Sequence, residues 1–129
     1  MYPIDLHYTE THQWARVAGD VATVGITDYA QDQMGDLVYV ELPEVGDEVN
    51  AGAPLGQVES VKAVSDVISP VSGEITEVNQ ALVDTPETVN REPYGDGWLA
   101  KIRMTDKSEL DALLDSAAYQ EHLAKEQSP

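Results

Sequence analysis

Cysteine is absent from the 129-residue chain. Its absence removes disulfides, thiolate metal sites and a cysteine nucleophile together, and suits a reducing compartment. Basic residues are scarce: seven Lys and Arg stand against 24 Asp and Glu, giving a net charge of −17 and a pI near 4.1. Nucleic acid and anionic membrane both require basic surface to displace counterions, so this composition argues against either as a partner. The acidity favours solubility and partners that present basic patches. Long apolar runs are also missing, and none approaches the length of a membrane span. The opening stretch Met1-Tyr2-Pro3-Ile4-Asp5-Leu6-His7 has no basic region, apolar h-region or Arg-rich amphipathic pattern. It reads as neither a signal nor a transit peptide, and the expected location is the cytoplasm.

Catalytic signatures are missing as well. There is no P-loop or nucleotide-binding glycine turn. Ser60 has no base near it in sequence, and Gly-x-Ser-x-Gly does not occur. The histidines His7, His12 and His122 show no ligand spacing and read as ordinary surface or rim residues, so no metal site is expected. The acid pairs Glu44/Asp47 and Asp106/Glu109 read as solvated charge. No self-sufficient catalytic constellation is present, so the chain is not expected to be an enzyme.

What is present is a mainly β pattern in one domain, since 129 residues bury a single modest core. Residues 12–17 and 21–26 are β-prone runs joined by Ala18-Gly19-Asp20, which predicts a hairpin. Thr27-Asp28 offers an N-cap for a short helix near 28–34, stopped by Gly35. Alternation over 37–42 predicts a half-buried strand with Val38, Val40 and Leu42 inward, ended by Pro43. Further strands are expected at 55–58, 64–68, 73–78 and 98–103, with a long turn-rich connection over 86–97. A helical tail spans about 106–126: Ser108 and Asp111 match a capping box, and Leu110, Leu113, Leu114, Ala117, Ala118 and Leu123 form an apolar stripe. A break is expected near Asp115-Ser116, and fraying over 126–129. A faint repeat at an offset of 26 matches Val38 with Val64, Leu42 with Ile68, Val45 with Val71, Glu48 with Glu74 and Val49 with Ile75. Two similar strand units would then flank the segment around residue 62.

That segment is Val58-Glu59-Ser60-Val61-Lys62-Ala63-Val64-Ser65-Asp66. Lys62 stands alone among valines and alanine, with acids just beyond, and has no obvious packing role. An exposed amine on a long, flexible stem suits the carriage of an acyl group. The tetrapeptide Ser60-Val61-Lys62-Ala63 contains none of the usual turn residues, so propensity does not place a turn there.

The stretch Glu59-Ser60-Val61-Lys62-Ala63 resembles the lipoylation motif of the glycine cleavage system H protein family. Five further blocks resemble that family in the same order. They are Thr11-His12-Gln13-Trp14, residues 24–31, residues 35–43, Pro70-Val71-Ser72-Gly73-Glu74 and Pro93-Tyr94-Gly95-Asp96-Gly97-Trp98. Together they cover most of residues 8–104, a far more specific signal than one pentapeptide.

The resemblance implies a barrel-sandwich hybrid of two antiparallel sheets, with a lipoyl-type core over about 20–104. It implies lipoate in amide linkage to Lys62 at a hairpin tip, with Glu59, Ser60, Val61 and Ala63 recognised by a lipoyl-attaching enzyme. Biotin carriers typically place methionines on both sides of the lysine, so Val61 and Ala63 argue for lipoyl. The implied role is a monomeric, non-catalytic carrier in glycine catabolism and one-carbon metabolism. It shuttles aminomethyl from a pyridoxal-phosphate glycine decarboxylase to a tetrahydrofolate-dependent aminomethyltransferase, and an FAD-containing dihydrolipoyl dehydrogenase reoxidises it. Alternatives are a lipoyl relay for 2-oxo acid dehydrogenase complexes and an unmodified acidic binding module on the same fold. One departure from the family stands out: Gln13 precedes Trp14 where relatives usually carry Glu. A neutral amide only hydrogen-bonds to a loaded amine, which predicts a weaker hold unless Glu10 or another acid substitutes.

Overall fold

The computed structural model describes residues 2–127. Among the described residues, nine strands form two antiparallel sheets. The strands are β1 (His7–Tyr8), β2 (Gln13–Ala18), β3 (Val21–Ile26), β4 (Leu37–Glu41), β5 (Glu48–Val49), β6 (Pro54–Ser60), β7 (Val64–Ile68), β8 (Gly73–Val78) and β9 (Ala100–Met104). The larger sheet has the order β1-β2-β3-β9-β8-β5 and the smaller β4-β6-β7, and neither closes into a barrel. Helices α1 (Asp28–Met34), α2 (Ala81–Asp84), α3 (Thr88–Arg91) and α4 (Ser116–Gln127) fill the connections and the tail. No helix among the described residues is long and apolar enough to cross a membrane.

The core lies between the sheets because each contributes one row of alternating apolar residues. Ala15, Val24 and Ile102 come from the larger sheet, and Val40, Leu55, Val58 and Val67 from the smaller. A second, aromatic cluster anchors α4: Tyr8 and Tyr119 stack at 4.8 Å beside the buried Trp14, Leu6 and Leu123.

The predicted β2–β3 hairpin is present, with Gly19 at φ 62 in its turn. Thr27 caps α1 by accepting from the Ala30 N–H at 3.3 Å, and Gly35 ends that helix at φ 78, a conformation that L side chains rarely adopt. The repeat-matched Glu48 and Glu74 lie directly opposite each other across β5 and β8, and β4 and β7 flank β6.

Four expectations need correction. Val38 does not face inward with Val40; it is exposed, because a register shift between Leu37 and Tyr39 breaks the alternation and turns Leu37 and Val40 to the core. The closing strand is Ala100–Met104 rather than 98–103. The turn-rich 86–97 connection contains α3, and α2 lies just before it. In the tail, Asp106 rather than Ser108 is the cap: it accepts from the Ser108 N–H at 3.0 Å and opens a 3-10 turn, Lys107–Ala112. Asp115 then starts α4 by accepting from the Ala118 N–H at 2.8 Å, so the expected break is real. It also resets the helical phase, and the buried anchors of α4 become Tyr119 and Leu123, with Ala117 exposed. Glu126 lies within α4, whereas Ser128 and Pro129, also expected to fray, lie outside the described residues.

Gly25 sits opposite Trp14 in the β2–β3 register, and a Cβ there would lie 2.7 Å from ring atoms Cε2 and Cζ2 of that fully buried indole. The ring has no free space to yield. Gly25→Ala is therefore expected to destabilise the protein by about 1–3 kcal/mol, read from the urea midpoint; an unchanged midpoint would contradict this packing.

Candidate functional site

Strands β6 and β7 form a hairpin at the edge of the smaller sheet, paired through β6 with β4. Val58 and Val67 hold its base in the core, and the register Glu59↔Val64 carries the pairing to the last residue before the tip. Ser60 closes the tip. It is buried, its N–H donates to the Ala63 carbonyl at 2.8 Å, and its hydroxyl oxygen accepts from the Lys62 and Ala63 N–H groups at 3.3 and 3.2 Å. A serine side chain thus does the work that glycine or proline does in commoner turns. The remaining motif residues, Glu59, Val61, Lys62 and Ala63, are all exposed. The five residues of the sequence motif therefore form one structural unit, with Ser60 as its lock and Lys62 as its apex.

The Lys62 side chain leans over the end of α1. A Cβ on Gly35 would lie 3.4 Å from Lys62 Cε and 3.8 Å from Nζ. Among the described residues no carboxylate forms an ion pair with Lys62. Beneath it, the α1–β4 connection is pinned by Asn90, which sequence reasoning missed. Its side-chain amide donates to the Gly35 carbonyl at 2.9 Å and the Gln31 side chain at 3.0 Å, while its oxygen accepts from the Leu37 N–H at 2.9 Å. No local pattern marks Asn90, because it acts across more than fifty residues.

A cavity of about 150 Å³ opens beside the same hairpin. Ile26, Met34 and Val58 give it apolar walls, and Gln13, Ser65 and Asp66 give it polar ones. Val58 and Asp66 stand four residues before and after Lys62, so the cavity lies behind the tip on the strands that present the lysine. The Gln13 side-chain oxygen is fully engaged, accepting from the Thr9 and Thr11 hydroxyls at 2.8 and 2.5 Å. The acid of this cavity is Asp66. Glu10 instead faces His122, with 3.7 Å between its carboxylate and Nδ1.

Two motif blocks, Thr11-His12-Gln13-Trp14 and residues 24–31, line this cavity, and the 93–98 block braces them from outside it. The indole N–H of Trp14 donates to the Pro93 carbonyl at 2.9 Å, and Arg16 donates to the Tyr94 carbonyl at 2.7 Å. The Tyr94 hydroxyl in turn accepts from the Asp28 N–H at 2.9 Å, at the start of α1. Tyr94 and Trp14 thus brace α1 and β2, the two elements that frame Gln13 and Met34.

The Ser60 contacts carry a direct prediction. Ser60→Ala is expected to cost about 1 kcal/mol and to speed amide hydrogen exchange at Lys62 and Ala63, while Ser60→Thr keeps the acceptor and the protection. Equal exchange in all three proteins would contradict the lock.

Comparison with known proteins agrees with these features. Residues 6–126 match the family described as Glycine cleavage H-protein. The chain is 57% identical over 126 residues to the glycine cleavage system H protein of Marinobacter nauticus, covering 97% of both chains. It is 60% identical over 124 residues to that of Alcanivorax borkumensis, covering 96% of this chain and 97% of the relative. A crystal structure of a glycine cleavage system H protein from Mycobacterium marinum superposes with a TM-score of 0.87 at 44% identity, covering 95% of this chain and 98% of that one. The chain belongs to the glycine cleavage H-protein family.

Proposed function

We propose that the chain is the lipoyl carrier of glycine cleavage, with lipoate in amide linkage to Lys62 Nζ. In this reading it carries the aminomethyl group of glycine from the decarboxylase to the aminomethyltransferase and is then reoxidised by dihydrolipoyl dehydrogenase. The whole chain acts as one carrier unit, a lipoyl-type core over about 20–104 with a helical tail over about 106–126, and works as a monomer. The observation that carries the reading is an exposed lysine with no acidic partner among the described residues, held at the apex of a serine-locked hairpin with a part-apolar cavity behind it.

The residues present suit the group. Ile26, Met34 and Val58 offer apolar surface to a hydrocarbon arm, and Asp66 offers a carboxylate to an amine at its end. When attached, lipoate supplies a disulfide that accepts the aminomethyl group and two electrons. The chain's own residues do the rest. Ser60 keeps the tip rigid enough for an attaching enzyme to grip, and the exposed Val61 and Val64 on the hairpin, with Val38 and Tyr39 on the neighbouring β4, offer apolar surface for that grip. Because the lysine is fixed to a folded carrier, a docked partner meets the arm at an effective concentration of order mM. Asp66 holds the loaded amine electrostatically, and Gln13 adds only an amide. The net charge of −17 steers the carrier toward basic docking faces, so association slows steeply as salt rises.

Two outcomes test this account. In a system reconstituted with the three partner enzymes, lipoylated wild-type protein supports glycine decarboxylation, and Lys62→Arg, which keeps the charge, supports none; activity retained by Lys62→Arg rejects the assignment. Gln13→Glu adds a second carboxylate to the cavity and is expected to slow release of the aminomethyl group from the loaded protein roughly tenfold, the effect of about 1.4 kcal/mol of added attraction. An unchanged release rate removes Gln13 from the cradle.

A further inference from the structure

Three side chains as far apart as residues 12 and 126 in sequence meet where α4 lies against the loop between β1 and β2. Glu126 sits between two imidazoles, with one carboxylate oxygen 3.1 Å from His12 Nε2 and the other 3.0 Å from His122 Nε2. One donor atom from each residue falls within 4.8 Å of the other two. Glu10 adds a second carboxylate 3.7 Å from His122 Nδ1, and its backbone oxygen lies 3.1 Å from His122 Nε2. Among the described residues no Lys or Arg pairs with Glu10 or Glu126. Two acids thus converge on two imidazoles with no fixed cation to balance them.

We infer that this cluster is a binding site for a divalent transition ion of the zinc class, ligated by His12 Nε2, His122 Nε2 and the Glu126 carboxylate. Bonds of about 2.0–2.1 Å in tetrahedral geometry put neighbouring ligand atoms about 3.3 Å apart. Each imidazole nitrogen already lies within a few tenths of that value from one Glu126 oxygen, His12 from one and His122 from the other. With one ligand atom taken from each residue the three lie within 4.8 Å of one another, so a small rotation of the Glu126 carboxylate and an approach of the two imidazoles, whose ring centroids stand 6.0 Å apart, would close the site. His122 and Glu126 lie four residues apart on one face of α4, the spacing that lets a helix offer two ligands to one ion. A fourth position stays open to water or to the Glu10 carbonyl. Two nitrogen donors and one carboxylate favour zinc and its neighbours over magnesium or calcium, which take oxygen ligands.

The surroundings suit a ligated histidine. His12 Nδ1 lies 2.8 Å from the Tyr119 hydroxyl, which lies 2.7 Å from the Thr27 hydroxyl. With an ion on Nε2, the Nδ1–H donates to Tyr119 and Tyr119 donates to Thr27. With a proton on Nε2, the same chain runs in reverse and no heavy atom moves. Such an outer partner fixes the tautomer and the ring plane. His12 also sits at φ 75, a left-handed conformation that is uncommon for a residue with a Cβ and that marks a position held for its side chain. The ion would tie α4 to the loop leading into Gln13, on the rim of the cavity beside the Lys62 hairpin.

The test uses tag-free, chelator-treated full-length protein and zinc sulfate alone. Calorimetry is expected to show one equivalent bound and a raised melting temperature, with magnesium giving neither. His122→Ala and Glu126→Gln, both at half-exposed or exposed positions, are each expected to weaken zinc binding by at least the roughly 10–100-fold that loss of an outer partner costs a metal site, while His7→Ala leaves it intact. In the wild-type protein, zinc should perturb the ring NMR signals of His12 and His122 and spare those of His7. The inference is overturned if no stoichiometric binding occurs, if both α4 variants bind as wild type does, or if zinc perturbs His7 instead.

Discussion

The structure depends on a single mechanical requirement: one hairpin must be anchored in the core and still hold its tip in water. Val58 and Val67 bury the base of β6 and β7 between the sheets, and Ser60 then closes the turn with its own hydroxyl. Remove either and the apex loses its fixed direction. The rest of the chain supports this projection. The larger sheet supplies the opposite wall of the core, α1 and Asn90 brace the ground under Lys62, and Trp14 with Tyr94 braces β2 and α1, which line the cavity behind it.

Electrostatics act at two ranges. Far from the site, the net charge of −17 would, in the proposed reading, favour partner faces that are basic. Close to it, the placement of individual acids matters more than their number. Asp66 reaches the cavity, whereas Glu10, the nearest acid in sequence to Gln13, faces His122 on the side of α4. The amide at Gln13 therefore leaves Asp66 as the carboxylate lining that space.

Much of this was legible in the sequence where the cause is local. Thr27 before an acidic first turn, and Gly35 just past the last turn, specify α1 from within a few residues. The β2–β3 hairpin follows from alternation on both sides of Gly19. The motif around Lys62 stood out by its composition, and its match to a family supplied the hairpin that propensity could not. What escaped was non-local or depended on a single irregularity. The shift after Leu37 inverts Val38 without any glycine to announce it. Asn90 acts on Gly35 and Leu37 from a distant short helix. His12, His122 and Glu126 have no ligand spacing along the chain, and they meet only because Tyr119 and Leu123 dock α4 on the aromatic cluster.

The central claim is that Lys62 carries the modification, and proteolytic mapping of protein from its native source tests it most directly. Lys62 is the only trypsin site between Arg16 and Arg91. An acylated Lys62 blocks cleavage, so the account predicts one peptide spanning residues 17–91 with the added mass of a single lipoyl group. Separate unmodified peptides spanning 17–62 and 63–91, or a lipoyl mass on any other lysine, would contradict it.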